Sequence, residues 1–254
     1  MELVLDTITT AYGNTVAVED VSFTVLPGQV VALIGPNGSG KSTLIKTIAT
    51  ILKPLRGSIT IDGLDIARMH PIDLASRIGY VPQQYTYTLY STVMETVLLG
   101  RRPYIKWSVS DEELSRVQRA LEAVDMAGSA GRFMDQLSGG ERQKVFIARA
   151  LAQEPALYLF DEPTSALDIR HQLGVMETLR ELGTSRGATV IVALHDLNLA
   201  YRYADRVVIM DQGRLVAAGK PQDVLTPDCI RSVYGVETVF VTNEHGEFIL
   251  PVRG

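Results

Sequence analysis

The stretch VVALIGPNGSGKST, residues 30–43, decides the fold. Its five leading apolar residues predict a buried strand, and the glycine-rich turn behind them runs into Leu44, Ile45, Ile48 and Leu52, which recur at helical spacing. A strand, a glycine-rich turn and a helix in this order match the phosphate-loop pattern, in which backbone N–H groups and the positive end of the helix surround phosphate oxygens. The stretch therefore predicts an α/β fold with a phosphate-loop core.

The polar side chains of this loop suit the chemistry of a triphosphate. Lys41 brings a positive charge to the β- and γ-phosphates, and the Ser42 hydroxyl is a ligand of the kind that Mg²⁺ prefers. The predicted loop consists of Gly35, Pro36, Asn37, Gly38, Ser39, Gly40, Lys41, Ser42 and Thr43. A plain glycine turn with a solvated lysine is the alternative, but the flanking strand and helix favour the phosphate site.

Composition limits the class of protein. With 254 residues and 46% hydrophobic content, the chain can bury a full core as one α/β domain. The formal net charge of −5 provides no positive field for nucleic acid, which we do not expect as a partner. The single cysteine, Cys229, can form no internal disulfide, and we expect it to be a small buried side chain. Because no apolar run approaches the roughly 18 residues of a membrane span, we expect a soluble, cytosolic chain.

Strands and helices alternate along the chain except in one long helical stretch. The predicted strands are residues 2–7, 17–25, 30–34, 57–62, 78–81, 156–160, 189–194, 206–210 and 214–218. We predict a nucleotide-binding core from residues 1–83 and 156–235, which includes an antiparallel β subdomain near the N-terminus. A helical subdomain is predicted at about 84–155, and a short helix pair precedes a C-terminal hairpin within 236–254.

Two helices carry clear apolar stripes that we assign to the core. In the helical insertion, Ser110 and Glu113 predict a capping box at the start of the stripe formed by Leu114, Val117, Leu121 and Val124. In the core, the second stripe consists of Ile169, Leu173, Met176, Leu179 and Leu182.

Polar residues follow three of the buried strands. Asp161 and Glu162 come at the end of one strand, where an aspartate can hold Mg²⁺ and a glutamate can activate the water that attacks a γ-phosphate. An acidic pair that merely starts the turn at Pro163 is the alternative. His195 follows another strand and can hydrogen-bond a γ-phosphate, although a lone histidine there is more often structural. Gln83 can offer an amide oxygen to Mg²⁺, with Gln84 competing for that assignment.

Taken together, these segments resemble the ATPase subunits of ATP-binding cassette (ABC) transporters over nearly the whole chain. Residues 35–43 are similar to the family's Walker A loop and 158–162 to its Walker B strand. Gln83 stands at the Q-loop, residues 165–168, ending at Asp168, at the D-loop, and His195 at the switch histidine. The resemblance implies a RecA-like core that hydrolyses ATP with Mg²⁺. It also implies that Tyr12 stacks on adenine, the alternative being a tyrosine packed near a strand end.

The signature segment is the motif that other phosphate-loop proteins lack. It consists of Leu137, Ser138, Gly139, Gly140 and Glu141. Ser138 at a helix start makes a second anion site, and a local capping box with Glu141 can coexist with it. In the family, two copies pair head to tail so that each signature covers the ATP held by the other copy. A homodimer is therefore implied.

Further segments resemble the importer branch for iron–siderophore, haem or cobalamin. They are residues 93–101, 195–198 and 213–219, although that branch often has glutamine at the position of Glu141. The resemblance implies permease subunits in the membrane, an external substrate-binding protein, and a location at the cytoplasmic face. Tyr85, Tyr87 and Tyr90 are expected either to border the permease contact or to pack within their loop.

Other functions remain as alternatives. They are an exporter subunit or another transport system, a non-transport ATP-driven clamp, and a nucleotide-binding scaffold without turnover. DNA clamps of this type contain a long coiled coil and ribosomal ones usually two cassettes, and neither feature is found in this sequence. Glu162 and His195 together argue against the scaffold.

Overall fold

The computed structural model describes residues 1–85 and 90–252. Within them the strands are β1 (Leu3–Tyr12), β2 (Thr15–Val25), β3 (Val30–Ile34), β4 (Arg56–Ile61), β5 (Leu64–Asp65), β6 (Ile78–Val81), β7 (Leu157–Asp161), β8 (Thr189–Ala193), β9 (Arg206–Asp211), β10 (Arg214–Gly219), β11 (Glu237–Asn243) and β12 (Gly246–Val252). The helices are α1 (Lys41–Ile48), α2 (Pro71–Arg77), α3 (Val93–Leu98), α4 (Asp111–Glu122), α5 (Gly139–Gln153), α6 (Ile169–Arg186), α7 (Leu197–Tyr203), α8 (Pro221–Val224) and α9 (Pro227–Tyr234).

The strands form three sheets. The central sheet has the order β10-β9-β3-β8-β7-β6, and its strands are parallel except for β10, which pairs antiparallel with β9. A second, antiparallel sheet has the order β2-β1-β4-β5, and β11 with β12 forms a separate hairpin. The predicted α/β class and the predicted antiparallel sheet near the N-terminus are therefore confirmed.

The central sheet separates two apolar cores because alternate residues of its strands point to opposite faces. In β3, Val30, Ala32 and Ile34 join the core that contains residues of α5 and α6. Val31 and Leu33 join the other core, which also contains α1 and the antiparallel sheet. All five β3 residues are buried, as the continuous apolar run predicts for a strand covered on both faces.

The helical stretch between β6 and β7 is also confirmed. It contains α3, α4 and α5, and Val117, Leu121 and Val124 of the predicted stripe are buried. Leu114 is an error in that prediction because it is exposed on the first turn of α4. Only half of the predicted capping box forms there: the Ser110 hydroxyl accepts the Glu113 N–H, while the Glu113 carboxylate pairs with the buried Arg101.

Several local predictions need correction or extension. Ile169 lies on the first turn of α6 and is 77% exposed, so it does not belong to the buried stripe that Met176, Leu179 and Leu182 form. Cys229 is only half-buried, and that burial raises the pKa of its thiol, so the thiolate is disfavoured. The helices α2 and α7 were not predicted. No helix in the described part of the chain combines the length and the apolar content that crossing a membrane requires.

Candidate functional site

Four parallel strands bring the candidate residues to one edge of the central sheet. The phosphate loop leaves β3, Glu162 follows β7, His195 lies two residues after β8, and Gln83 lies two residues after β6. Because β3, β8, β7 and β6 are successive parallel neighbours, their carboxyl ends meet at the same edge. The sheet order therefore assembles residues that are far apart in sequence.

The phosphate loop is packed so closely that two of its glycines cannot be replaced without displacing backbone. At Gly35, with φ +151°, an added Cβ would lie 2.0 Å from the Met210 carbonyl oxygen. At Gly40, with φ +98°, it would lie 2.7 Å from the Ala17 carbonyl oxygen. The Gly213 N–H also donates to the Ser39 carbonyl oxygen at 3.1 Å. The β9–β10 turn and β2 therefore support the loop from outside.

Lys41 lies over the loop with its ammonium held by backbone oxygens. Its side chain is buried, and Nζ donates to the carbonyl oxygens of Gly35 at 2.8 Å and Pro36 at 3.0 Å. Burial lowers the pKa of this ammonium, while the nearby carboxylates of Glu162 and Asp161 oppose that shift. The charge therefore sits where the loop's own N–H groups would receive phosphate oxygens.

Ser42 and Asp161 form the pair that best fits a magnesium ion. The Ser42 hydroxyl donates to Asp161 Oδ1 at 2.7 Å, while Asp161 Oδ2 is buried and has no hydrogen-bond partner in the described part of the chain. Burial raises the pKa of the Asp161 carboxyl, against the effect of the Ser42 hydrogen bond. Mg²⁺ is typically held by one or two carboxylates together with phosphate oxygens and water, so an unpartnered buried carboxylate oxygen beside a hydroxyl fits this ion.

Glu162 is the centre of the hydrogen-bond network at the sheet edge. The Gln83 side-chain amide donates to Glu162 Oε2 at 2.6 Å, and His195 Nε2 pairs with Glu162 Oε1. The glutamate is buried, whereas His195 remains 43% exposed. In this arrangement Gln83 contacts Glu162 through its amide nitrogen, so its predicted oxygen contact with Mg²⁺ stays a prediction.

The backbone at Glu162 is in a conformation that side chains rarely adopt. Its φ is +55°, in the left-handed region where non-glycine residues are strained. Two side chains hold its carbonyl oxygen: the Gln143 amide donates at 3.2 Å, and the Ser165 hydroxyl donates at 3.1 Å. This support fixes the direction in which the Glu162 carboxylate points.

Gln143 is a site residue that the sequence reasoning missed. It lies one turn before Ile147 on α5, and it is almost completely buried. A polar residue four positions before a core isoleucine, on the buried face of an amphipathic helix, was the available signal.

The signature segment lies at the start of α5, and in the described part of the chain its side chains bond only to residues nearby in sequence. Ser138 and Glu141 form the predicted capping box: the Ser138 hydroxyl accepts the Glu141 N–H, and Glu141 Oε2 accepts the Ser138 N–H at 2.7 Å. An added Cβ at Gly139 would meet nothing, while one at Gly140 would lie 3.2 Å from the Ala166 carbonyl oxygen. Across the described residues, no hydrogen bond or ion pair joins 137–141 to the loop 35–43.

Asp168 and Tyr12 lie outside the network around Glu162. Asp168 caps α6, accepting the His171 N–H at 3.0 Å, and its carboxylate also contacts His171 Nδ1 at 2.9 Å. These hydrogen bonds hold the pKa of the Asp168 carboxyl below its usual range. Tyr12, at the end of β1, is 49% exposed, which leaves its ring available for stacking.

The three tyrosines after Gln83 do not behave as one group. Tyr85 stacks on Phe146 of α5, with ring centroids 4.0 Å apart, so for this residue the loop-packing alternative holds. Tyr90 is 84% exposed, whereas Tyr87 lies outside the described residues.

Comparisons with known proteins agree with this geometry. Residues 18–165 match the family described as ABC transporter. An uncharacterized ABC transporter ATP-binding protein of Methanocaldococcus jannaschii is 44% identical, over 97% of this chain and 96% of its own length. The petrobactin import ATP-binding protein of Bacillus anthracis is 38% identical, over 96% and 90%. A hemin import ATP-binding protein of Nocardia farcinica is 40% identical, over 92% and 82%.

Solved structures extend the likeness to the whole fold. An ATP-binding cassette dimer in a post-hydrolysis state, bound to ADP and Pi, is 32% identical with a TM-score of 0.79, covering 86% of this chain and 98% of its own. A candidate metal-chelate ABC transporter in an inward-facing conformation is 27% identical with a TM-score of 0.84, covering 99% and 97%.

Proposed function

The chain belongs to the ABC transporter family, and on that premise we propose that it energises the import of a metal chelate such as an iron–siderophore, haem or cobalamin. It is an ATPase, and several of its relatives are ATP-binding subunits of importers. The likeness to importer subunits supports import of a metal chelate, and the network in which Glu162, Gln83 and His195 meet beside the phosphate loop supports ATP hydrolysis as its energy source.

Glu162 acts as the general base in this proposal. Its carboxylate accepts from Gln83 and pairs with His195, and its backbone is fixed by Gln143 and Ser165. A carboxylate held in this way can orient a water molecule towards the γ-phosphate of ATP and accept its proton. His195, which is partly exposed at the same edge, is placed to hydrogen-bond the γ-phosphate.

The phosphate-binding roles follow from the charges and donors on the loop. Lys41 neutralises the β- and γ-phosphates, and the N–H groups of residues 35–43 surround them at the start of α1. Ser42, Asp161 and Gln83 would hold Mg²⁺, which supplies positive charge against the negative charge on the phosphate oxygens. Tyr12 stacks on the adenine ring.

A second copy of the chain supplies the other half of each ATP site. The signature residues 137–141 present a helix N-terminus, a serine hydroxyl and the open Gly139, groups that suit an anion. A head-to-tail dimer brings them over the ATP held by the partner's phosphate loop, and Asp168 lies near the contact between the copies. Because both nucleotides favour the closed dimer, ATP binding and hydrolysis drive closing and opening.

Permease subunits convert this motion into uptake. We place the chain at the cytoplasmic face of the membrane, attached to the permease through the helical subdomain and the Q-loop, with an external binding protein delivering the chelate. Tyr90 is exposed beside this segment and can contribute to the permease contact.

The test is ATP-dependent uptake by proteoliposomes that contain this chain and the membrane permease with which it co-purifies. A ferric siderophore, haem and cobalamin are supplied in separate assays with their binding protein. We expect one of them to accumulate with the parent chain and not with Glu162→Gln. ATP hydrolysis without uptake of any of the three would overturn the proposed substrate class while leaving the ATPase activity standing.

A further inference from the structure

A cavity of about 700 Å³ lies between the helical segment and the core, away from the phosphate loop. Its walls come from the end of α4, the second and third turns of α5, and the first half of α6. Val124, Ile147 and Leu173 supply an apolar surface, while Lys144 and His171 supply polar groups. A volume of this size lies in the range of pockets that hold small organic ligands, roughly 300–1,000 Å³.

Lys144 is the charged residue of this cavity whose side chain is most deeply buried. It is only 7% exposed, and within the described part of the chain its ammonium forms no hydrogen bond or ion pair. Its charge acts on the Asp168 carboxylate without forming an ion pair, because Asp168 is bonded to His171. The buried stem of Lys144 holds its ammonium at the cavity wall without a bonded partner among the described residues, so an anion in the cavity would gain a charge-assisted hydrogen bond there.

The remaining lining indicates what kind of anion fits. His171 and Arg170 add cationic or donor groups near Lys144 at the start of α6, and the acids Asp125 and Glu177 also line the cavity. Glu177 lies six residues beyond His171 on α6, or about 9 Å along the helix axis, so this acid at one end of the stretch is separated from the basic residues at the other end. Between these ends, Gly174 leaves open space above the apolar surface because an added Cβ there would meet nothing.

We propose that this cavity binds a small organic anion with an apolar body, its charged group at Lys144 and His171. The ligand contacts α4 and α5 of the helical segment on one side and α6 of the core on the other. It therefore restrains these elements relative to one another. It also lies next to His171, whose ring holds the Asp168 carboxylate, which gives binding a direct physical route to the D-loop.

The experiment measures octanoate binding to the nucleotide-free chain by calorimetry. We expect saturable binding at one site in the parent, at least tenfold weaker binding in Lys144→Met, and none in Gly174→Leu, whose side chain fills the cavity. Lys144→Met keeps most of the buried stem and removes only the charge. Lys53→Met makes the same change at an exposed lysine outside the cavity and should bind octanoate like the parent.

Binding of the neutral alcohol 1-octanol distinguishes a site for anions from a cleft that binds any apolar molecule. It should bind at least tenfold more weakly than octanoate to the parent and equally well to the parent and Lys144→Met. The proposal is wrong if octanoate does not bind saturably, if Lys144→Met binds it like the parent, or if octanol matches it. Unchanged thermal unfolding and ATP affinity in both variants show that a loss of octanoate binding is local. These binding results do not depend on whether the chain serves an importer.

Discussion

The sheet edge around Glu162 and the signature segment around Ser138 differ in where their polar groups find partners. At the sheet edge, Glu162 is contacted by residues that follow two other strands, Gln83 and His195. In the signature segment, Ser138 and Glu141 bond to each other across a single helical turn. Partners from other strands therefore preorganise the polar groups of the first region, while the polar groups of the second bond to residues no more than nine positions away along the chain.

On the proposed function, this difference separates the part of the ATP site that one chain supplies from the part that a second copy supplies. On the proposed function, the donors and carboxylates preorganised at the sheet edge bind and activate a triphosphate within one chain. The signature segment presents donors and a glycine with open space above it, and it has no bond to the phosphate loop among the described residues. On the proposed head-to-tail dimer, this surface meets the ATP that a second copy holds.

Lys41→Ala should have the largest effect because it removes the positive charge of the phosphate loop. We expect ATP turnover to be abolished and nucleotide affinity to fall, since the phosphates lose their cationic partner. Calorimetric titration with ATP and a phosphate-release assay measure the two effects. Lys53→Ala, at an exposed lysine, is the control; equal ATP affinity and turnover in parent and Lys41→Ala would refute the phosphate role of Lys41.

Glu162→Gln should separate ATP binding from hydrolysis. The amide keeps the size of the side chain but cannot accept the proton of the attacking water, so turnover should fall by about 10²- to 10⁴-fold. With Mg²⁺ and ATP present, the variant should accumulate as a dimer that light scattering detects. Glu122→Gln makes the same change on an exposed face of α4 and should behave as the parent. A Glu162→Gln protein that hydrolyses ATP at the parent rate would remove Glu162 from the mechanism.

Gly139→Asp tests whether the signature segment acts on a partner. An added Cβ at this position meets nothing, so the variant should fold, but its carboxylate would repel the phosphates held by a second copy. We expect turnover at least tenfold below the parent with ATP affinity of the isolated chain unchanged. Gly139→Ala is the matched control and should retain most activity.

Mixing variants makes this test stricter. A Lys41→Ala chain mixed with a Gly139→Asp chain yields mixed dimers in which one composite site contains both defects and the other contains neither. Those dimers should retain one working site. If the mixture is no more active than either variant alone, the two halves do not come from different copies.

Asp161→Asn should show that the buried carboxylate of Asp161 lowers the folding stability of the chain. Because burial raises the pKa of Asp161 in the folded chain, folding stability is greater when this carboxyl is protonated and is lost as pH rises through the raised pKa. The neutral amide can still accept the Ser42 hydroxyl, so we expect a higher Tm than the parent at neutral pH and loss of Mg²⁺-dependent turnover. Thermal unfolding at about pH 7.5 and about pH 5 should show that the difference in Tm between the variant and the parent becomes smaller as pH falls. A lower Tm than the parent at neutral pH would contradict this account.

The sequence predicted the sheet edge better than it predicted the details around it. Continuous apolar runs such as 30–34 and 190–193 can be read directly as buried strands, and polar residues that follow them then fall at one edge. The helix α2 went unpredicted because none of its residues is buried, so it has no apolar stripe. Ile169 was misassigned because spacing alone does not show that the first turn of α6 lies beyond the core.

The support for Glu162 could not be predicted in the same way. Its positive φ and the hydrogen bond from Gln143 depend on how α5 packs against the end of β7. The chain contains no local pattern that pairs these two residues, which are 19 positions apart. The sequence could indicate candidate reacting groups, whereas the contacts that orient them arise from tertiary packing.

Glu141→Gln should have the smallest effect, and it tests whether the charge of Glu141 acts only on its neighbours Ser138 and Arg132. Glutamine can still accept the Ser138 N–H, so the capping box should persist, while the ion pair with Arg132 at 2.8 Å is lost. Because both partners are substantially exposed, we expect a cost of about 0–1 kcal/mol in the free energy of unfolding, and less at high salt. The hydrogen bond from the Ser138 N–H, and after it the bond from Arg132, hold the pKa of the Glu141 carboxyl below its usual range. The ionised carboxylate therefore adds to folding stability above the ordinary carboxyl pKa, and this stabilisation disappears as pH falls through the lowered pKa. Parent and variant should therefore unfold alike in acid; a difference that persists there, or a large loss of turnover, would mean that the Glu141 charge acts beyond its own helical turn.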